Sequence, residues 1–113
     1  MNKKVKLDFV KFEIYCYPLT KKLLNNFVPY TTHTSVALHQ MQVVEAIETA
    51  LNLTRNESIN GEHKLKLIFA YFWSNTNPNL ERLAMDYHVH VNTAQLWIKK
   101  FVKKVGEILG LFD

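Results

Sequence analysis

Apolar residues recur at intervals of three and four along most of the chain, and sustained strand-type alternation is scarce, so the pattern predicts an all-helical fold. The first stretch is Lys4 to Tyr15, where Val5, Leu7, Phe9, Phe12 and Ile14 partly alternate; helix is favoured over a strand. Pro18 suits the first turn of a new helix, which Lys21 to Phe27 continues until Pro29 stops it. After a polar link from Pro29 to Thr34, Ser35 can cap a helix whose Val36, Met41, Val43, Val44, Ile47 and Leu51 share a side, ending near Leu53. Thr54 to Gly61 reads as a loop. Glu62 to Ser74 carries Leu65, Leu67, Ile68, Phe69, Tyr71, Phe72 and Trp73, and predicts a central helix touched on several sides. The Asn75 to Asn79 run is dense in turn and capping residues and predicts a sharp break.

From Leu80 the spacing becomes specific: a short helix, a tight turn and a longer helix, the pattern of a helix-turn-helix over about residues 79–106. Ala84 is small enough for close helix contact, and Val89 can plug the turn. On a wheel of 3.6 residues per turn, Ala94, Trp97, Ile98, Phe101, Val105 and Ile108 fall on one side of the last helix, while Asn92, Gln95, Leu96, Lys99 and Lys103 fall on the other. Asn and Gln can bond an adenine edge in two places, Lys meets guanine or phosphate, and Leu suits a thymine methyl. The expected DNA-binding set is therefore His90, Asn92, Thr93, Gln95, Leu96, Lys99, Lys100 and Lys103. Asn92, Gln95 and Leu96 are the base readers, the lysines hold backbone, and His90 lies beside phosphate. The turn departs from the usual pattern. His88 stands where glycine is common and must accept a left-handed backbone or remodel the turn, and His90 replaces the usual hydroxyl cap. Asn92 with Gln95 offers a capping box instead.

Composition adds three bounds. The 113 residues fit one small domain, read as an N-terminal basic helical arm over 1–33 and a helical core over 34–113. A single cysteine, Cys16, excludes an internal disulfide, and no apolar run approaches the length of a membrane span, so the expected compartment is the cytoplasm. The net charge of +4 is unevenly placed: Lys3, Lys4, Lys6, Lys11, Lys21 and Lys22 crowd the start, and Lys99, Lys100, Lys103 and Lys104 form a run with no acid between Asp86 and Glu107. Such a local field attracts phosphate. The N-terminal lysines suit either a solvated helix face or a second arm on DNA phosphates.

Other chemistry is thin. His88 and His90, with His33, His39 and His63, invite a metal reading, but no CxxC or HExxH accompanies them and none is expected to bind metal. Cys16 has no sequence partner as a nucleophile and reads as a buried or half-buried thiol. The aromatics from Phe69 to Trp73 read as core rather than a base-stacking platform. No phosphate loop or acid–base pair occurs, so neither catalysis nor a cofactor is expected.

Three stretches carry a family resemblance: Tyr17-Pro18-Leu19-Thr20-Lys21-Lys22-Leu23, Ile47-Glu48-Thr49-Ala50-Leu51, and Leu80 to Leu109 with the closing Leu109-Gly110-Leu111. The sequence resembles the phage late-gene transcription regulators of the RinA and ArpU type, whose C-terminal halves look like the promoter-reading domain of sigma factors. The resemblance implies a small activator of packaging or lysis genes that acts on double-stranded DNA with the host RNA polymerase. One short helix reads few base pairs, which also points to a homodimer or a polymerase partner. The competing expectation is a protein-interaction module, an adaptor or antirepressor, in which the Leu96 face meets a protein.

Overall fold

The computed structural model describes residues 2–25, 35–57, 59–74 and 79–112, with the side chains of Ser35 and Val36 excluded. The protein is a small all-α domain. The described residues form five helices, α1 (Lys3–Asn25), α2 (Ser35–Arg55), α3 (Gly61–Trp73), α4 (Leu80–Asp86) and α5 (Val91–Ile108). The expected link at 29–34, the cap at Ser35 and most of the asparagine run lie outside what is described. Asn79 does cap α4, its side chain accepting from the Arg82 backbone N–H at 2.7 Å.

A single apolar cluster draws on all five helices, with Val10 and Ile14 of α1, Ile47 of α2, Leu67 and Ile68 of α3, Ala84 of α4 and Phe101 of α5 among its members. α5 contributes Ala94, Trp97, Ile98, Phe101, Val102, Val105 and Gly106 to the interior, and both α3 and α5 touch the other four helices. The expected boundary at residue 33 falls outside the described residues, and on either side of it α1 and α2 share this one core.

Several expectations change. Lys4 to Tyr15 is helix as expected, but Pro18 does not open a new one: it sits inside the continuous α1. Proline lacks the N–H that would bond the carbonyl four residues back, here Ile14. That same carbonyl accepts from the Trp73 indole Nε1–H of α3 at 2.8 Å, so the acceptor Pro18 leaves open is satisfied by a residue 59 positions away. In α2 the side containing Val43, Ile47 and Leu51 is buried, but Met41 is exposed, and Ala37, Ala46 and Ala50 are buried as well. Small residues let neighbouring helices approach where a longer side chain would hold them apart. α2 runs on to Arg55, and α3 begins at Gly61, where a Cβ would run into the Thr54 and Arg55 carbonyls. The aromatic set of α3 is divided: Phe72 is buried, Tyr71 and Trp73 are half-buried, and Phe69 is exposed with its ring edge on Trp73. Ile108, expected inside, is exposed, while Val102 is buried. Beyond α5 the chain folds back so that Phe112 covers Gly106.

Candidate nucleic-acid interface

α4, the link from Tyr87 to His90 and α5 make up the segment that carries the candidate residues. Leu83 and Ala84 are buried, Tyr87 and Val89 are packed against the core, and the Val89 N–H donates to the Ala84 carbonyl at 2.9 Å. His88 takes the left-handed option, with φ of 58°. Imidazole tolerates this region better than most side chains, though less well than glycine. His90 is itself the N-cap of α5: its Nδ1 accepts from the Asn92 N–H at 3.1 Å in an extended backbone conformation. The expected Asn92–Gln95 capping box is therefore replaced. α5 starts at Val91, two residues earlier than a cap at Asn92 would allow, and the Asn92 side chain stays on the surface.

His63, weighed in the sequence only as a metal ligand, holds this link from outside. Its Nε2–H on α3 donates to the Tyr87 carbonyl at 2.6 Å, and its ring meets Tyr87 and Trp97 edge-on at 5.6 and 5.9 Å. The signal that could have found it is the pairing of a buried turn carbonyl with a donor-bearing ring elsewhere, which periodicity does not encode. Among the described residues no three His, Cys, Asp or Glu side chains converge as a metal site, and Cys16 is half-buried and free.

On α5 the wheel separates as expected except at Ile108. Ala94, Trp97, Ile98, Phe101 and Val105 are buried; Asn92, Gln95, Leu96, Lys99, Lys100 and Lys103 are exposed, as is His90, and Thr93 is half-buried. From Asn92 to Lys103 the outward face runs about 16 Å at 1.5 Å per residue, and its opposite side is locked into the core. Leu96 is 48% exposed in the middle of this polar face.

Two sets of lysines stand apart, while Lys100 lies beside Lys64 and Lys104. Lys64 and Lys104 both pair with Glu57, and Lys21 pairs with Glu48. These carboxylates sit below their ordinary range, Glu48 through hydrogen bonds from Lys21 and then Tyr17, Glu57 chiefly through the hydrogen bond from Lys64. The other group lines a groove of about 440 Å³ between α1 and α5. Its floor is Leu7, Ile98 and Val102, and its rim holds Lys3, Lys4, Lys11, Lys99 and Lys103, with Asp8 as the one acid. Lys3 and Lys6 continue into a second depression with Lys103 and Phe112. Of the rim lysines only Lys103 has an ion-pair partner among the described residues, Glu107 at 4.0 Å. The sequence left the N-terminal lysines between solvated face and second arm; the fold brings them beside the α5 lysines. No acid occupies the first turn of α1, where three lysines face the positive end of the helix dipole. That placement destabilises an isolated helix and concentrates positive potential.

No family model matches the chain, and neither a curated protein nor a solved structure matches it. No helix of the described residues is long and apolar enough to cross a membrane.

Proposed function

We propose that the protein is a sequence-specific DNA-binding transcription regulator of the helix-turn-helix kind, with α5 as the reading helix. The observation that carries this reading is the joined basic surface. Lysines from α1 and α5 that are 88 to 100 positions apart in sequence face one groove beside the exposed Asn92, Gln95 and Leu96. In this reading Asn92, Gln95 and Leu96 meet base edges near the start of α5, with Thr93 and His90 beside them. Lys99, Lys100 and Lys103 hold the phosphate strand that passes one to two turns further on. The resemblance to RinA- and ArpU-type regulators gives the narrower form of the proposal, an activator of phage late genes that works with the host RNA polymerase.

The test is a selection from a randomised duplex pool, followed by fluorescence anisotropy of the selected duplex at a series of salt concentrations. Each neutralised phosphate contributes about 0.9 to the slope of log affinity against log salt. The Lys99→Ala/Lys103→Ala double variant should lower the slope by about 1.8 and weaken all duplexes alike. Gln95→Ala should instead weaken the selected sequence by about 1–3 kcal/mol relative to random DNA. A double lysine variant that bound as well as the parent at moderate salt would sink the assignment.

The half-exposed Leu96 favours one second reading, a protein-interaction module built on the same face. A contact centred on leucine responds little to salt, so the same titration separates the two.

A further inference from the structure

α1 has a second apolar face outside the core, along which Phe9 meets the His39 ring of α2 at 6.5 Å. Val5, Phe9, Phe12, Cys16, Leu19 and Leu23 follow one another at steps of four, three, four, three and four residues, the spacing of a heptad seam. At 100° per residue they lie within an arc of about 80°, roughly 160° from Val10 and Ile14 on the buried face and about 130° from the lysine groove. Phe12 is 64% exposed and Leu19 61%; Val5, Phe9 and Leu23 are also exposed, and Cys16 is half-buried. A stripe of this length and composition, five turns along one helix, is more than scattered surface residues supply.

We propose that this face is a homodimer interface, on which α1 of a second copy of the chain packs antiparallel. A seam with alternating three- and four-residue steps fits another helix, whose side chains enter the holes between its knobs. Two features make this chain its own best partner. With the two-fold axis passing near Ile14, Phe12 falls opposite Cys16 of the second copy, Phe9 opposite Leu19 and Val5 opposite Leu23, so the bulkiest side chains face smaller ones and each pairing occurs twice. Beside the seam, Asp8 falls opposite Lys22, again twice. A parallel arrangement would set Asp8 against Glu13 instead. In the antiparallel arrangement the like pair is Glu13 with its own copy at the axis, which makes Glu13 a brake on the association. Pro18 lies about 140° round from the seam, so the hydrogen bond it removes is on the far side of the helix. The groove lysines stay uncovered, and two copies present two α5 helices. The proposal stands on α1 alone and does not need the DNA reading.

The experiment is sedimentation equilibrium of the full chain without DNA, from 1 to 100 µM. The expected result is a concentration-dependent rise from 13.3 kDa toward twice that mass. Phe12→Lys/Leu19→Lys should weaken association at least 100-fold with unchanged helicity and thermal midpoint at low concentration, since both side chains are outside the core. Asp8→Lys alone and Lys22→Glu alone should each weaken it several-fold, the Asp8→Lys/Lys22→Glu swap should restore it, and Glu13→Gln should tighten it several-fold. A parent chain that remains monomeric at 100 µM, or a lysine double variant that still dimerises, overturns the interface. Failure of the charge swap to restore association, or ready oxidation of the parent to a Cys16–Cys16 dimer, overturns the antiparallel packing, which holds those thiols too far apart for a bridge.

Discussion

His88 and His90 divide the work of the link between α4 and α5: one bends the backbone and the other caps the helix that follows. Replacing His90 with alanine removes the acceptor for the Asn92 N–H and should cost about 1 kcal/mol, whereas asparagine, a good cap, should hold most of it. The urea midpoint at unchanged slope checks both. His88→Gly should act in the opposite sense and raise stability by about 0.5–1 kcal/mol, because glycine accepts a φ of 58° without strain. The need for a special residue at both positions was legible in the sequence, since glycine and hydroxyl side chains are the common solutions there. Whether His90 or Asn92 would cap α5 was not legible, because a cap depends on the rotamer and on the residue where the helix starts. A two-residue difference in that start moved the cap from Asn92 to His90 and released Asn92 to the surface.

At the scale of the element, α1 shows how a local rule yields to a distant partner. A proline in the middle of a helical pattern reads as the point where one helix ends and another begins, and in isolation it would act as such a break. The Trp73 indole changes the balance by occupying the carbonyl that the proline orphans. Trp73→Phe should therefore cost about 1–3 kcal/mol beyond its packing loss, the penalty of a buried acceptor left unpaired. In a Pro18→Ala background residue 18 regains its N–H and can serve the Ile14 carbonyl, so the same change should cost less. A double-mutant cycle by urea unfolding should return a coupling energy of about 1 kcal/mol, and additive losses would contradict the account. The sequence could not disclose this contact, which joins positions 59 residues apart. α5 was far more legible, because its buried and exposed residues separate cleanly at 3.6 residues per turn. α2 lay between, since a wheel weighted toward bulky residues passes over Ala37, Ala46 and Ala50.

At the scale of the whole molecule, the carboxylates of half-buried Glu48 and exposed Glu57 hold separate parts of the chain together. Glu48 ties α2 to Lys21 and Tyr17 of α1, and Glu57 ties the loop after α2 to Lys64 of α3 and Lys104 of α5. Both carboxyls are depressed when folded, so their contribution is fully present above the ordinary carboxylate range and is lost as pH falls through the lower folded values. These groups are substantially solvated, and each pair is worth only a few tenths to about 1 kcal/mol. Between pH 7 and 3 the parent should lose urea stability faster than the Glu48→Gln/Glu57→Gln variant, with the two curves converging at the acid end; parallel curves would remove the assignment. Tertiary placement also explains why half of the candidate site was hidden. Asn92 to Lys103 could be found on one helix, but the meeting of Lys3, Lys4 and Lys11 with Lys99 and Lys103 exists only once α1 has packed against α5.

The indole that answers Pro18 has a further use. The chain holds two tryptophans, and they report on different things: Trp73 donates to the backbone of α1, while Trp97 of α5 lies against His63 and Lys64 of α3. The side-chain N–H of Trp73 should give a solvent-protected resonance whose exchange tracks the release of α1 alone. A chain carrying only that tryptophan would show whether the N-terminal helix departs before the rest of the domain unfolds, or with it.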